Sequence, residues 1–306
     1  MENKEQLRLL KGLISHLDNK TNIDAGGIVR APADTYTSTE RFEREWETFF
    51  LNHPQIIGMS GDLDKPDTFM TTEDFGVPIL AVRNKQGEFK AYANVCAHRG
   101  VTVESLKRGE KSKFSCPFHG WTYNNEGSLI GYPKGDQFGQ IDKECYGLKE
   151  LPALEKYGFL WVHPSAEGVI DLDEILGQDL IKEFNSWNFQ NLIFANEEEY
   201  PTEMNWKLAI DTFGETYHFS VLHKDSLFES FHGNCQMFDS FKRNGRFSVD
   251  RFALWHLHFD LAVDNSHWEN INLESRIITP STIACLKSPC MPRAGDDTFN
   301  DRSGTK

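Results

Sequence analysis

The period of the hydrophobic positions changes along the chain, from helix to strand and back to helix. Near the N-terminus, apolar residues at helical spacing predict a helix over residues 4–18: Leu7, Leu10, Leu13, Ile14 and Leu17. A second helix is predicted to start near Ser38, with an aromatic face made of Phe42, Trp46, Phe49 and Phe50. The chain is therefore expected to open with helices.

From about residue 55 the pattern is that of strands. Short runs of β-branched and aromatic residues, such as VPILAVRN, EFKAYANV and YGFLWVHP, are separated by turns that contain glycine. NKQG at residues 84–87 and NNEG at residues 124–127 are typical of hairpin loops. This β-rich block is predicted to end near Pro164.

A helical period returns after the β-rich block. DLDEILGQDLIKEF predicts a helix over residues 171–184, and strand-like segments follow as far as Pro201. TEMNWKLAIDTFGETYHFSVLH then predicts one helix that runs from about Glu203 to near His223. The order of elements predicts a chain of mixed helix and sheet.

Composition and charge narrow the class of protein. The 306 residues carry a net charge of −14, which argues against a broad nucleic-acid-binding surface because phosphate contacts need clustered Lys and Arg. No long uncharged apolar run is present, so neither a secretory signal nor a membrane span is expected. The 6 cysteines are irregularly spaced, as in a cytoplasmic protein with reduced thiols.

Four metal-ligand side chains occur on two predicted loops of the β-rich block. Cys96 and His98 are separated from Cys116 and His119 by residues 99–115. Such a set suits either a structural zinc ion or a [2Fe–2S] cluster with two thiolates on one iron and two imidazoles on the other. Because each loop supplies one sulfur and one nitrogen, the spacing favours the cluster over zinc.

The residues around these pairs resemble the two boxes of Rieske proteins. HRG follows the first pair, and Pro117, Gly120 and Trp121 surround the second. Respiratory-chain Rieske proteins carry an extra cysteine in each box, whereas Arg99 and Phe118 stand among the comparable positions here. The resemblance is therefore to the oxygenase and ferredoxin branch, and it implies that the four side chains hold a [2Fe–2S] cluster.

A second set of candidate ligands lies further along the chain. His218 and His223 are five residues apart, and Glu215 precedes the first histidine by three. Two histidines and a carboxylate form the facial set that holds non-haem Fe(II) while leaving positions open for O2 and substrate. Histidines in an aromatic helix are otherwise core residues, and the Rieske boxes favour the metal.

The whole arrangement resembles the catalytic alpha subunit of Rieske non-haem iron oxygenases, the aromatic ring-hydroxylating dioxygenase family, over about residues 40–270. The shared motif here is Asn205, Trp206, Lys207, Glu215, Tyr217, His218 and His223. By this resemblance His218 and His223 are iron ligands. Glu215 is then a carboxylate that bridges an iron-ligand histidine to a Rieske histidine of a neighbouring subunit, expected to be His119.

The resemblance also implies a fold. We expect an α+β protein with an all-β Rieske [2Fe–2S] domain and an incomplete helix-grip catalytic domain, in which helices pack on an antiparallel sheet. The expected divisions are an N-terminal helical segment at 1–54 that packs on the catalytic domain, a Rieske domain at 55–165, and a truncated mononuclear-iron domain at 166–306.

The implied function is that of a terminal oxygenase component. Electrons from NAD(P)H would pass through a separate reductase, with or without a ferredoxin, to the cluster and then to Fe(II). The iron would activate O2 and hydroxylate an aromatic or other small organic substrate, as in the catabolism of aromatic hydrocarbons. A homotrimer or an alpha3beta3 assembly is expected, with no nucleic acid and no membrane as partner.

The chain departs from the family pattern in two places. The family has a third, carboxylate iron ligand well beyond the second histidine, and it is expected to be missing here, with substitutes only at Asp260, Asp264, Asp296 and Asp297. A catalytically incomplete Rieske electron-transfer protein is therefore the rival hypothesis. Many members also have Asp where Glu215 stands, and the longer side chain resembles the branch that attacks quaternary amines such as carnitine or choline.

Overall fold

The computed structural model describes residues 1–249 apart from residues 25, 140, 227, 229, 230, 232–234, 242 and 243. Its α-helices are α1 (Asn3–Asn19), α2 (Asp34–Thr37), α3 (Thr39–Glu45), α4 (Leu172–Trp187) and α5 (Trp206–Phe213). Its strands are β1 (Gln55–Met59), β2 (Thr68–Thr72), β3 (Ile79–Arg83), β4 (Phe89–Ala93), β5 (Arg108–Glu110), β6 (Lys113–Ser115), β7 (Thr122–Asn124), β8 (Leu129–Gly131), β9 (Glu150–Leu151), β10 (Ala153–Lys156), β11 (Phe159–Val162), β12 (Gln236–Phe241) and β13 (Asn244–Val249).

The two predicted N-terminal helices are both present. Helix α1 buries Leu10 and Leu13 of its apolar stripe against Cys235, next to strand β12. Helix α3 begins where the Ser38 hydroxyl accepts a hydrogen bond from the backbone N–H of Arg41 at 3.2 Å, which satisfies a donor that a helix start leaves open. The chain then continues as a π-helix over Trp46–Leu51.

The β-rich block consists of three antiparallel sheets. A five-stranded sheet with the order β5-β2-β3-β4-β9 lies between the sheet β1-β11-β10 and the sheet β6-β7-β8. Alternating side chains explain this arrangement: Leu80 faces the β6-β7-β8 side with Tyr123, while Ile79 and Ala81 face the β1-β11-β10 side with Leu160. Side chains on strands alternate between the two faces, so a strand covered on both sides carries apolar residues on both faces, as residues 79–82 of β3 do.

Both predicted hairpin loops are confirmed. The side-chain oxygen of Asn84 accepts hydrogen bonds from the backbone N–H groups of Gln86 and Glu88, at 3.1 and 2.7 Å. Gly87 in this loop has φ +82°, and Gly127 in the second loop has φ +72°. Glycine occupies such left-handed conformations without a steric penalty, which is why these turns carry it.

The helix predicted over 171–184 is confirmed as α4, and the strands predicted before Pro201 are wrong. The Asp171 side chain accepts a hydrogen bond from Glu174 N–H at 3.0 Å at the helix start. Residues 192–203 have no regular secondary structure. Polar pairing replaces strand pairing there, because Glu197 lies 2.7 Å from Arg108 of the edge strand β5, and Phe194 lies under the same guanidinium group.

The last described element is the antiparallel pair β12–β13, which contacts α1 and α4. Arg246 of β13 links these elements by ion pairs to Glu5 of α1 and, at 2.8 Å, to Glu183 of α4. The architecture is α+β, as predicted. No helix in the described part of the chain is long and apolar enough to cross a membrane.

Candidate functional site

The two predicted cluster loops have the same backbone geometry. In the first, Cys96 N–H donates to the Val101 carbonyl at 2.8 Å, and Gly100 N–H donates to the Cys96 carbonyl at 2.9 Å. In the second, Cys116 N–H donates to the Trp121 carbonyl at 2.8 Å, and Gly120 N–H donates to the Cys116 carbonyl at 2.9 Å. Each loop turns at a glycine of positive φ, so that its cysteine and histidine face the other loop.

The structure brings the four predicted side chains together at the tips of these loops. Cys96 and Cys116 are each 3% exposed, whereas His98 is half-buried and His119 is exposed. The two imidazole rings lie 4.8 Å apart between centroids. The sulfurs are therefore inside and the ring nitrogens outside, an order that suits a cluster with thiolates on the inner iron and imidazoles on the outer iron.

The ionisation of these groups reflects their burial. Burial raises the pKa of the Cys116 thiol. Hydrogen bonds from the backbone N–H groups of Phe118 and His119 act to lower this pKa, but the neighbouring Cys96 raises it further. Burial also lowers the pKa of His98, and the charges of His119 and Arg99 add to this effect. A neutral imidazole is the form that binds a metal.

The donor set fits two irons better than a single metal ion. A tetrahedral zinc site needs four ligands around one centre, whereas each iron of the cluster takes only two side chains from the protein. Because both thiols are buried and both imidazoles lie nearer the surface, the donor set matches a cluster with two thiolates on one iron and two imidazoles on the other.

Two further side chains contact this site: Tyr123, which sequence analysis missed, and Trp121, which it named only as part of the second box. The hydroxyl of Tyr123 lies 3.3 Å from the Cys96 sulfur and accepts a hydrogen bond from Ala97 N–H at 3.1 Å. The ring of Trp121 stacks on that of His98 at 4.9 Å. Both residues belong to CPFHGWTY: Trp121 directly precedes β7, and Tyr123 lies in β7, where it pairs with Phe114 of β6.

The second candidate site begins at the end of α5, and the single helix predicted from Glu203 to His223 is wrong. Helix α5 covers Trp206–Phe213 only, and a short 3-10 helix follows over Tyr217–Ser220. The break has a local cause. The Glu215 carboxylate accepts hydrogen bonds from the backbone N–H groups of Tyr217 and His218, the latter at 3.2 Å, and so starts a new turn.

This turn brings the two predicted iron-binding histidines together. The rings of His218 and His223 lie 5.3 Å apart between centroids, and Glu215 contacts Nδ1 of His218. Burial acts to raise the pKa of Glu215, but the hydrogen bonds from His218 and from Tyr217 N–H outweigh it, so that the pKa is lowered. A carboxylate on Nδ1 leaves Nε2 of His218 as the metal-binding nitrogen.

The two histidines fit two of the three positions of a mononuclear iron site. Within the described ranges, no carboxylate joins the two histidines as a third ligand. The four sequence candidates for that role, Asp260, Asp264, Asp296 and Asp297, lie outside the described residues.

Helix α5 is attached to the N-terminal helices by specific contacts. The Tyr36 hydroxyl donates to Asp211 at 2.7 Å, and the Asn205 amide donates to the Tyr36 carbonyl at 3.2 Å. Lys207 forms an ion pair with Glu45. The helix that precedes the two histidines is therefore held from its first turn.

Comparisons with known proteins identify two domains in the chain. Residues 53–152 match the Rieske [2Fe-2S] domain, and residues 189–274 match the ring hydroxylating alpha subunit (catalytic domain). The chain therefore contains both domains of Rieske oxygenase alpha subunits, as the two motifs predicted, and its relatives are such subunits. The cofactors implied by these two domains are the [2Fe–2S] cluster and a mononuclear iron.

The individual relatives include both dioxygenases and monooxygenases. The alpha subunit of toluate 1,2-dioxygenase from Pseudomonas putida is 28% identical over 69% of this chain and 48% of its own length. Choline monooxygenase from Beta vulgaris is 31% identical over 63% of this chain and 44% of its own. The chain thus spans about half the length of these curated relatives.

Solved structures give the same family. The quaternary ammonium Rieske monooxygenase CntA, in complex with an inhibitor, superposes with a TM-score of 0.65 at 25% identity, over 73% of this chain and 62% of that chain. A naphthalene 1,2-dioxygenase mutant bound to phenanthrene gives a TM-score of 0.53 at 26% identity, over 62% of this chain and 44% of that chain.

Proposed function

We propose that this chain is the terminal oxygenase component of a multicomponent Rieske oxygenase. One observation carries the proposal: a single chain holds a Cys2His2 set on paired loops and a His218–His223 pair fixed by Glu215. Electrons from NAD(P)H reach the chain through a separate reductase, with or without a ferredoxin. The product is a hydroxylated aromatic or other small organic molecule.

The side chains have distinct roles in this proposal. Cys96 and Cys116 hold one side of the [2Fe–2S] cluster in the protein interior, while His98 and His119 hold the side that faces the surface. Mononuclear Fe(II) bound by His218 and His223 supplies the site for O2. Glu215 keeps the Nδ1 proton of His218 in place and orients the ring, so that Nε2 points to the metal.

Electron transfer is proposed to cross between subunits of a homotrimer or an alpha3beta3 assembly. The exposure of His119 and the 36% exposed side chain of Glu215 support a contact between His119 of one subunit and Glu215 of its neighbour. We also propose three divisions of the chain: a helical segment at 1–54, the Rieske domain at 55–165 and the catalytic domain at 166–306.

A quaternary amine is the second candidate substrate, and one observation favours it. The similarity in fold is greater to the quaternary ammonium monooxygenase, with a TM-score of 0.65, than to the naphthalene dioxygenase, with 0.53. A glutamate at position 215 resembles the same branch. Substrate-dependent O2 uptake in the presence of a reductase, measured with carnitine and with benzoate, distinguishes the two classes.

The test of the proposed function is a count of iron and acid-labile sulfide per chain after anaerobic reconstitution, together with paramagnetic resonance after dithionite. Three irons, two sulfides and a Rieske signal are expected. Two irons with the same signal would favour the electron-transfer hypothesis instead. Cys116→Ser is expected to abolish the signal, whereas Cys145→Ser, at an exposed cysteine outside the loops, is expected to retain it. Zinc without visible absorbance would contradict both hypotheses.

A further inference from the structure

The two imidazoles of the proposed cluster site have unequal surroundings. The ring of Trp121 lies parallel to that of His98, at 4.9 Å and an interplanar angle of 6°, and Phe138 meets His98 edge-on at 5.9 Å. His119 contacts only His98 and Phe118 among the described rings, and it is exposed to solvent. One side of the site is therefore covered and the other is open.

The covered side is built from four aromatic residues, here named the aromatic cover: Trp121, Tyr132, Phe138 and Tyr146. Trp121 is 2% exposed and forms the centre of the cover. Its ring lies 5.6 Å from Tyr132, 5.9 Å from Phe138 and 5.5 Å from Tyr146. Edge-to-face and offset arrangements at such distances are favourable, so the four rings form one packed unit.

The residues that carry the cover are fastened to the sheet. Lys143 donates to the carbonyl of Ile130 in β8 at 3.2 Å, and its ammonium group lies 5.6 Å from the Tyr132 ring. Asp142 accepts a hydrogen bond from Glu144 N–H at 3.1 Å and so starts the short helix that contains Tyr146. The cover is thus part of the folded structure and not a loose side chain lying over the ring.

We infer that Trp121 and Phe138 are positioning residues for His98, which fix its ring plane and keep water from that side of the cluster. The inference rests on the proposed [2Fe–2S] site. Reduction adds one negative charge to the site, and an apolar surrounding that excludes water disfavours added charge. The aromatic cover therefore holds the reduction potential below the value of an open site.

The test compares variants of Phe138, which is 42% exposed and for that reason tolerates substitution. In the reconstituted full chain, Phe138→Ala is expected to move the reduction potential to a more positive value. Pulsed paramagnetic resonance on the dithionite-reduced protein measures the nitrogen hyperfine couplings of both imidazoles. The couplings of His98 should change, while those of His119 should stay the same. Phe138→Tyr is expected to restore both values, and Ile130→Ala, which removes an exposed apolar side chain of β8, is expected to alter neither.

Several outcomes would overturn the inference. A loaded Phe138→Ala protein with wild-type potential and couplings would do so, as would an equal shift in Ile130→Ala. If Phe138→Ala does not load, Phe138→Leu, which keeps apolar volume without a ring, and Trp121→Phe, which keeps a smaller ring, decide the matter by the same two readouts. A wild-type chain without a Rieske signal would instead refute the proposed function, so the two failures are distinguishable.

Discussion

The carboxylate of Glu215 contacts Nδ1 of His218 while accepting hydrogen bonds from the backbone N–H groups of Tyr217 and His218. One side chain therefore ends the helical run, starts the next turn and orients a proposed iron ligand. A carboxylate that accepts from Nδ1 fixes the tautomer of the imidazole and increases its basicity. Local folding and metal chemistry depend on the same three contacts.

Replacing Glu215 by Gln removes the negative charge of the side chain and keeps its shape, so the variant tests the role of the charge. We expect Glu215→Gln to keep iron and sulfide loading, because the amide oxygen still accepts a hydrogen bond, and to slow electron transfer between the two centres. Single-turnover kinetics with a pre-reduced cluster measures that rate. Glu203→Gln, at an exposed position before α5, is the control. Equal rates in the wild type and in Glu215→Gln would remove Glu215 from electron transfer.

Tyr123→Phe tests the hydrogen bond to the cluster sulfur. The hydroxyl lies 3.3 Å from the Cys96 sulfur, and a donor to a cluster thiolate stabilises the reduced, more negative state. The variant is therefore expected to have a lower reduction potential. It also removes the acceptor of the part-buried hydrogen bond from Ala97 N–H, which costs about 0.5–1.5 kcal/mol of stability.

The control for this prediction is Tyr92→Phe. Tyr92 is also buried and also donates from its hydroxyl, but to the Asn125 carbonyl at 3.3 Å and not to a cysteine sulfur. Protein-film voltammetry of both variants gives the potentials. A shift of the same size in Tyr92→Phe would show that any lost buried hydroxyl in this sheet changes the potential.

The features predicted correctly from the sequence are those determined by local patterns. A continuous apolar run at residues 79–82 defines β3, and the Asn and Gly residues of each hairpin satisfy the backbone of their own turn. The single helix at 203–223 follows from the apolar period alone. That period gives no sign that the Glu215 carboxylate accepts hydrogen bonds from two backbone N–H groups and so interrupts the helix. The stacking of Trp121 on His98 depends on two loops meeting in space, which no spacing in the chain specifies.

The acid stability of the contact between α1 and β13 is also predictable. The hydrogen bond from Arg8 lowers the pKa of Glu5 to about 2 against a burial effect that raises it, and Arg246 lowers it further. A depressed pKa contributes stability above the ordinary value of 4.5, and that contribution is lost as the pH falls from 4.5 to about 2. The difference in thermal midpoint between the wild type and Glu5→Gln should therefore shrink across this window.

The control for the pH experiment is Glu2→Gln. Glu2 lies in the same segment, but its side chain is 54% exposed and its ion pair with Lys182 is 3.6 Å long. An exposed pair at this distance contributes little to stability. We expect only a small difference in midpoint for Glu2→Gln, and a pH-independent loss in Glu5→Gln would contradict the prediction.

The two hairpin glycines allow backbone strain to be separated from packing. Gly87 and Gly127 both have positive φ, at +82° and +72°. A Cβ at Gly87 would meet nothing within 4 Å, whereas a Cβ at Gly127 would lie 2.5 Å from Cε1 of Tyr92. Both alanine variants pay roughly 1–2 kcal/mol for the left-handed conformation. Gly127→Ala should lose about 1–3 kcal/mol more, because the buried Tyr92 ring must move. Chemical unfolding measures the free energy of unfolding of both variants. Equal losses would show that the Tyr92 ring moves aside without destabilising the protein.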